Sequence, residues 1–218
     1  MAQKKAEKLR IFGDGTYPGG QYSKVKIIGQ GRVNGDIESE NIKILGDSIF
    51  EGKVVVDSFQ LVGNGIVNSD MSGKSYWVLG NLDISTNLIG EHCRIRGWVN
   101  ANGNIEMERL DVKGGLKVKG LVNAEEFKLK LHQATSQVQE IGGKNIRVKS
   151  NWLHFFGGKN RLVADIIEGD TIYLEHTTAK IVRGKDIILG PQCEIEVVEY
   201  KVSYKQDKNA TVHHVNRL

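Results

Sequence analysis

Apolar side chains recur at fixed positions of a 17-residue repeat that runs from Val25 to Leu131. One position of the repeat is always glycine, at Gly29, Gly46, Gly63, Gly80, Gly97 and Gly114. Two of the apolar columns read Val25, Ile42, Phe59, Tyr76, Cys93, Leu110, Phe127 and Ile27, Ile44, Leu61, Val78, Ile95, Val112, Leu129. A period of this length, sustained over consecutive repeats, is typical of solenoid proteins.

Within one repeat, short runs of alternating apolar and polar residues are interrupted at three places. In the first repeat, Val25 and Ile27 precede the interruption at Gly29, and Ile37 follows the one at Gly35. Alternation with period two indicates strands, and glycine at the interruptions permits sharp corners. One such coil cannot bury its own apolar side chains, so neighbouring coils must stack about 4.8 Å apart. The sequence therefore predicts an all-β fold, a triangular parallel β-helix solenoid.

The repeat divides the chain into four parts. Residues 1–24 precede it and are expected to form a partly flexible leader, and residues 25–131 form the regular coils. Residues 132–205 are expected to continue the β-helix with shorter, irregular coils, and residues 206–218 read as a loose polar tail.

The expectation of shorter coils depends on a 15-residue spacing. The motif Gly-Gly-Lys-Asn occurs at 142–145 and again at 157–160. The same spacing separates Ile172 from Ile187 and Ile187 from Val202. Two segments depart from it, residues 132–140 and an aromatic stretch. The aromatic stretch either protrudes or plugs a gap, and we expect it to serve packing and not to bind a cofactor. The aromatic residues are Trp152, Phe155 and Phe156.

The charge balance and the distribution of apolar residues limit the classes of function that the protein can have. The chain has 30 Lys and Arg against 26 Asp and Glu, a balance that predicts no nucleic-acid partner. No apolar run approaches the roughly 20 residues of a membrane-spanning helix, and residues 1–24 lack the apolar core of a secretion signal. We therefore expect a cytoplasmic protein.

No catalytic, cofactor-binding or metal-binding residues are predicted, and we expect no enzymatic activity. The nearest match to a phosphate-binding loop, residues 68–75, has Asn68 where the first glycine is required. The six histidines never share a repeat column, so they cannot align on neighbouring coils as metal ligands. Cys93 lies in an inward column and is interpreted as a small core residue.

The start of the chain carries basic residues and has two interpretations. These residues are Lys4, Lys5, Lys8 and Arg10. They belong either to a solvated tail or to a peripheral contact with anionic lipid on the inner face of the cytoplasmic membrane. In the second interpretation Leu9, Ile11 and Phe12 insert into the bilayer.

One outward column changes from apolar to basic along the rod. It reads Ile28, Leu45, Val62, Leu79, then Arg96, Lys113, Lys130. The apolar members are either partly buried beside the glycine corner or a lateral contact stripe between rods.

The two ends of the predicted solenoid are candidates for self-association, because an uncapped end exposes unpaired strand edges and apolar side chains. The residues expected to face out at the first end are Ile11, Phe12, Val25 and Ile27. Those expected at the second end are Ile195, Val197, Tyr200, Val202 and Tyr204. Contacts between such ends would build filaments without nucleotide hydrolysis.

The repeat units resemble those of the bactofilins, bacterial cytoskeletal proteins that polymerise without nucleotide. The resemblance is carried by Ile28-Gly-Gln-Gly-Arg-Val-Asn-Gly-Asp-Ile37 and by Gly114-Gly-Leu-Lys-Val-Lys-Gly-Leu-Val122. Residues 12–27 resemble the leader of longer members from endospore-forming Gram-positive bacteria. The resemblance implies a right-handed helix and a homopolymer, with a paralogous bactofilin as a further candidate partner. It also implies a role in cell shape, envelope growth or motility.

A β-helix enzyme, either acyltransferase-like or carbohydrate-active, is the alternative. An acyltransferase of the left-handed type would show 18-residue coils built from six-residue units, which a period of 17 fits poorly. Filaments in electron micrographs would favour the scaffold, and dispersed trimers would favour the acyltransferase.

Overall fold

The computed structural model describes residues 7–132, 134–150 and 160–218. Its strands form one parallel sheet in which β1 to β10 are adjacent in chain order. Lys4, Lys5 and the aromatic stretch of Trp152, Phe155 and Phe156 lie outside the described residues. The strands are β1 Glu7–Phe50, β2 Val54–Val67, β3 Met71–Ile84, β4 Leu88–Ala101, β5 Ile105–Leu131, β6 Ser136–Ser150, β7 Leu162–Leu174, β8 Thr177–Leu189, β9 Glu194–Gln206 and β10 Thr211–Arg217.

The strands stack as successive coils of a solenoid. Val54 pairs with Met71, Met71 with Leu88, and Leu88 with Ile105, so each residue lies beside the one 17 positions later. The predicted all-β solenoid with 17-residue coils is therefore confirmed. Its interior is one continuous apolar cluster along the whole rod.

Each regular coil contributes to three faces, which we name by the coil that starts at Ile42. The first face is residues 42–45, the second is 47–51 and the third is 54–56. On each face, alternate side chains are buried, because successive residues of a strand point to opposite sides. Outward side chains therefore form straight columns along the rod.

The corner between the first and second faces requires glycine. Gly63 has a φ of 130°, a backbone conformation that residues with a side chain rarely adopt. A Cβ atom there would also lie 2.1 Å from the carbonyl oxygen of Gly46 in the preceding coil. The glycine column therefore reflects both backbone conformation and the close approach of stacked coils.

A polar column stabilises the corner between the second and third faces. Asn87 Oδ1 accepts a hydrogen bond from the Asn104 amide at 2.8 Å, and Asn104 Oδ1 accepts one from the Leu121 amide at 3.0 Å. Asp70 occupies the same column and accepts from the Thr86 hydroxyl at 2.6 Å and from the Asn87 amide. These hydrogen bonds hold the pKa of Asp70 below its ordinary value.

The regular spacing ends after Val118. Val118 pairs with Val138, 20 residues later, and Ile141 pairs with Ile167, 26 residues later. The predicted 15-residue alignment of the first Gly-Gly-Lys-Asn motif with the second is wrong, because Gly143 pairs with Gly169 and Asn145 pairs with Thr171. Residues 157–159 of the second motif lie outside the described residues.

The 15-residue spacing holds for one step only. Ile172 pairs with Ile187 as expected, but Ile187 pairs with Tyr204 and not with Val202. The register shifts between Gly184 and Asp186, which displaces Val202 from the predicted column.

Both ends of the chain contain more strand than expected. β1 begins at Glu7, and the Ser23 hydroxyl donates to the carbonyl of Glu7 one coil earlier. Residues 7–24 therefore form a further coil. At the other end, the loose tail expected after residue 205 instead contains β10, which pairs in parallel with β9.

Candidate interaction surfaces

The carboxyl-terminal end of the solenoid exposes part of its apolar interior. Val182, Val198 and Val215 occupy one inward column on successive coils. The first two are 0% exposed, whereas Val215 is 45% exposed. Among the described strands, β10 has β9 as its neighbour on one side and none on the other. An inward side chain is thus exposed because no further coil covers it.

Two tyrosines lie beside Val215 on this end. The rings of Tyr200 and Tyr204 stack with their centroids 5.7 Å apart. Both pack against the core while remaining partly exposed. Partial burial raises the pKa of Tyr204. The pair forms a partly exposed aromatic surface on β9.

The residues predicted at this end are only partly placed there. Tyr200 and Tyr204 are partly exposed, Val202 is 63% exposed, and Val197 is partly exposed in an outward column. Ile195 does not face the end as expected, because Val212 of β10 lies next to it and buries it. The prediction did not include Val212, Val215 and Leu218, since these were assigned to a tail.

The amino-terminal end differs from the prediction more strongly. Val25 and Ile27 are fully buried, because the coil of residues 7–24 precedes them. Ile11 is also fully buried, so none of these three faces the end as expected. Phe12 is 63% exposed, but it precedes Gly13, which stacks on Gly29. Phe12 therefore extends the outward column of Ile28 on the first face.

The column predicted to change from apolar to basic is a straight ladder on the first face. Leu45 pairs with Val62, Val62 with Leu79, and Leu79 with Arg96. Leu45 and Leu79 are 51% and 46% exposed, whereas Ile28 and Val62 are partly buried. Partial burial beside the corner thus explains two of the four residues, and the other two are available for contact.

The same face carries a concentrated positive charge further along the rod. We name these residues the central basic patch: Arg94, Arg96, Lys113, Lys128, Lys130, Arg147 and Lys149. Asp111 lies within the patch and forms two hydrogen bonds with Arg96, at 3.2 and 3.3 Å. Arg147 and Lys149 lie over the ring of Tyr173, at 5.2 and 5.6 Å from its centroid.

A second basic cluster lies at the amino-terminal end of the first face. We name it the amino-terminal basic patch, consisting of Lys8, Arg10, Lys24, Lys26 and Lys43. The ammonium group of Lys26 lies 5.9 Å from the centroid of the Phe12 ring. Of the residues expected to insert into lipid, Leu9 and Ile11 are buried and only Phe12 is exposed. Insertion of the first two is therefore excluded in this fold.

The titratable groups of the interior are held in their neutral forms. Burial raises the pKa of the Cys93 thiol to about 12 and that of Cys193 to about 11. Thiols with such values are poor nucleophiles at neutral pH. Within residues 7–132, 134–150 and 160–218, no group of three His, Cys, Asp or Glu residues is placed to hold a metal ion. The part of the chain that the structure describes has no helix that could cross a membrane.

Comparison with known proteins identified two relatives in Bacillus subtilis (strain 168). The chain is 44% identical over 93 residues to the uncharacterized protein YhbF, covering 43% of this chain and 40% of YhbF. It is 37% identical over 99 residues to the uncharacterized protein YhbE, covering 44% of this chain and 42% of YhbE. The chain thus matches less than half the length of each relative. No family model matches the chain, and no solved structure matches it.

Proposed function

We propose that this protein is a structural scaffold that self-assembles end to end into filaments without nucleotide. The observation that supports this most directly is the exposure of Val215 in a column whose preceding members are fully buried. Adding a coil from a second copy would bury it as Val198 is buried by β10. The solenoid interior would then continue from one copy into the next.

The exposed apolar residues at this end can contribute substantially to association. They are Tyr200, Val202, Tyr204, Val212, Val215 and Leu218. Fully burying one large apolar side chain contributes about 1.5–3 kcal/mol. Association itself costs roughly 4–15 kcal/mol. Several of these residues buried together are therefore needed, and together with main-chain pairing along β10 they can offset that cost.

The parallel sheet favours a repeating contact. If the carboxyl-terminal end of one copy stacks on the coil of residues 7–24 of the next, every strand keeps the parallel direction of its neighbours. A contact between two different surfaces leaves one of each free, so it propagates into a filament. Two carboxyl-terminal ends that meet each other would instead close into a dimer.

Electron microscopy and sedimentation of the purified, nucleotide-free protein test the proposal. We expect filaments from the unchanged chain and monomers from Val215→Arg, because a charged side chain cannot be buried in the junction. His214→Arg is the matched control, since His214 is the exposed neighbour of Val215 and points outward beside Val197. It should form filaments of normal length.

Three outcomes would contradict the proposal. Normal filaments from Val215→Arg would mean that this end is not the junction. Dimers from the unchanged chain would show a closed contact, and dispersed trimers would favour an acyltransferase-like enzyme. Far-ultraviolet circular dichroism establishes that both variants keep their β structure.

The cellular role that we propose follows from the resemblance to bactofilins. A cytoplasmic filament of this kind would support cell shape, envelope growth or motility, and a paralogous bactofilin could co-assemble with it. Co-sedimentation with a candidate paralogue, with and without Val215→Arg, would show whether co-assembly uses the same end.

A further inference from the structure

The nearly balanced charge of the chain is sorted unevenly among the three faces. Both basic patches lie on the first face. The outward column of the third face has a mixed composition, with Glu38, Glu106, Glu168 and Glu199 as its acidic members, Arg183 between the last two, and uncharged residues such as Val55 and Ile89 elsewhere. The first face is therefore strongly positive although the net charge of the chain is small.

The first face also carries exposed apolar side chains, which lie beside the amino-terminal basic patch and between it and the central basic patch. Phe12 is 63% exposed, Leu45 51%, Leu79 46% and Trp77 39%. Trp77 and Leu79 lie directly beside Arg94 and Arg96 of the next coil.

We propose that the first face is a docking surface for an anionic lipid bilayer, on which the rod lies with its axis parallel to the membrane. In this arrangement Phe12, Leu45, Trp77 and Leu79 enter the interfacial region. The basic residues beside Phe12 and Leu45, and those of the central basic patch beyond Leu79, contact lipid headgroups. This surface is independent of the carboxyl-terminal end, so docking does not require filaments.

The geometry favours a plane over a linear polymer. Side chains on a sheet face stand roughly perpendicular to it, and successive coils are about 4.8 Å apart. The column from Phe12 to Leu79 therefore extends about 19 Å along the rod. The basic residues occupy more than one column, beside the first part of it and further along the rod, so a flat array of headgroups can contact them together. A nucleic acid strand would follow one line of charges and would leave the apolar column without a partner.

The composition fits the membrane interface as well. Tryptophan is enriched at the boundary between lipid and water, and Lys and Arg can extend to headgroups while their stems cover apolar surface. Lys113, Lys130 and Lys149 continue the row that Arg96 begins. Two acidic residues at this site form ion pairs with patch residues, Asp111 with Arg96 and Glu126 with Lys128, each at 3.2 Å. Glu175 accepts hydrogen bonds from the Ser150 amide and the Tyr173 hydroxyl.

Vesicle flotation of the full chain tests the proposal. We expect flotation with phosphatidylcholine vesicles that contain about one-third phosphatidylglycerol, and little with phosphatidylcholine alone. Each basic residue near an anionic surface contributes about fivefold to partitioning. The triple variant Lys113→Gln, Lys130→Gln, Lys149→Gln should therefore bind about 100-fold more weakly.

A control variant with the same change in net charge distinguishes binding through the first face from attraction by the overall charge of the protein. Lys53, Lys119 and Lys201 are exposed and lie off the first face. Changing all three to Gln should reduce binding by less than about fivefold, because long-range attraction is screened within about 10 Å. Equal losses in the two triple variants would overturn the assignment to this face.

The apolar contribution is tested with a second matched pair of variants. Leu45→Ser with Leu79→Ser should weaken flotation by at least about tenfold, since each removes apolar area from the interface. Val55→Ser with Ile89→Ser changes residues of similar exposure on the third face and should have little effect. Unchanged flotation of the first pair would overturn insertion.

Two further outcomes would refute the membrane partner. One is equal flotation with neutral vesicles. The other is binding of an oligonucleotide that depends on Lys113, Lys130 and Lys149 while anionic vesicles do not bind. Flotation is also measured with Val215→Arg, which should still bind anionic vesicles. A failure to form filaments is thereby distinguished from a failure to dock.

Discussion

Coils before Val118 and coils after it stack in the same direction but are held by different contacts. Residues 37–101 pair with the residues 17 positions later, and their corners repeat the same glycine and similar polar hydrogen bonds. In the later coils the spacing is 20 and then 19 residues, 26, 15, 16 and then 17, and it is again 17 between β9 and β10.

Ion pairs are more frequent after Val118. Arg183 contacts Glu199 at 2.6 Å and Glu168 at 3.4 Å, spanning three coils. Lys180 binds Asp165 at 2.7 Å and Lys185 binds Asp170 at 3.0 Å across neighbouring coils. These pairs are largely exposed, and exposed pairs contribute little stability. The regular corners are therefore stabilised mainly by contacts between stacked backbones. The coils of variable length keep their buried apolar side chains and add ion pairs, which tolerate changes in spacing.

The largest expected difference between the regions concerns glycine. Gly63→Ala should destabilise the fold by about 2–6 kcal/mol, because it combines a disfavoured positive φ with a steric clash. Gly142→Ala is the control after Val118, since its nearest atoms would be 3.7 Å from the new Cβ. We expect a change below about 1 kcal/mol there. Thermal unfolding measures both, and equal effects would contradict the importance of the glycine column.

The polar corner column should contribute less. Asn87→Ala removes the acceptor of the Asn104 amide and a donor to Asp70, at a cost of about 1–2 kcal/mol. Asn102→Ala, at an exposed bend of the same region, should cost less than about 0.5 kcal/mol. If chemical denaturation gives the same midpoint for both variants, the hydrogen bonds of this column do not stabilise the corner.

The pH dependence of stability measures the contribution of Asp70 separately from those of the other residues in the polar corner column. Its pKa is lowered in the folded protein, so the carboxylate stabilises the fold above its ordinary pKa of 3.8. This contribution is lost as pH falls below 3.8 through the folded pKa. Asp70→Asn should therefore flatten the acid side of the profile of Tm against pH. An identical profile for the variant would assign acid destabilisation to other carboxylates.

The smallest effect is expected for the ion pairs after Val118. Arg183→Gln should lower stability by about 0–1 kcal/mol, since Arg183 and its partners are largely exposed. Any loss should shrink in about 1 M salt, where charges are screened within about 3 Å. A loss that persists in high salt would indicate packing by the arginine stem.

The sequence predicts most of the fold between Val25 and Val118 because a constant period gives both the inward columns and the neighbour of each residue. For the same reason it also predicts that Leu45 and Leu79 lie in one outward column. The polar corner column was missed, although Asp70, Asn87 and Asn104 recur at the same interval. The signal was present, but these residues are equally common at solvated turns.

The period alone also determines which residues form the interior, since alternation within a coil and recurrence between coils agree. The three-dimensional structure showed that residues 7–24 and 211–217 add to the stack, and this placed Ile11, Val25, Ile27 and Ile195 inside, whereas Val215 is 45% exposed. It also brought Lys113, Lys130 and Lys149 into one row despite the change in spacing. These features depend on which distant segments stack, and a local pattern cannot specify this once coil lengths vary.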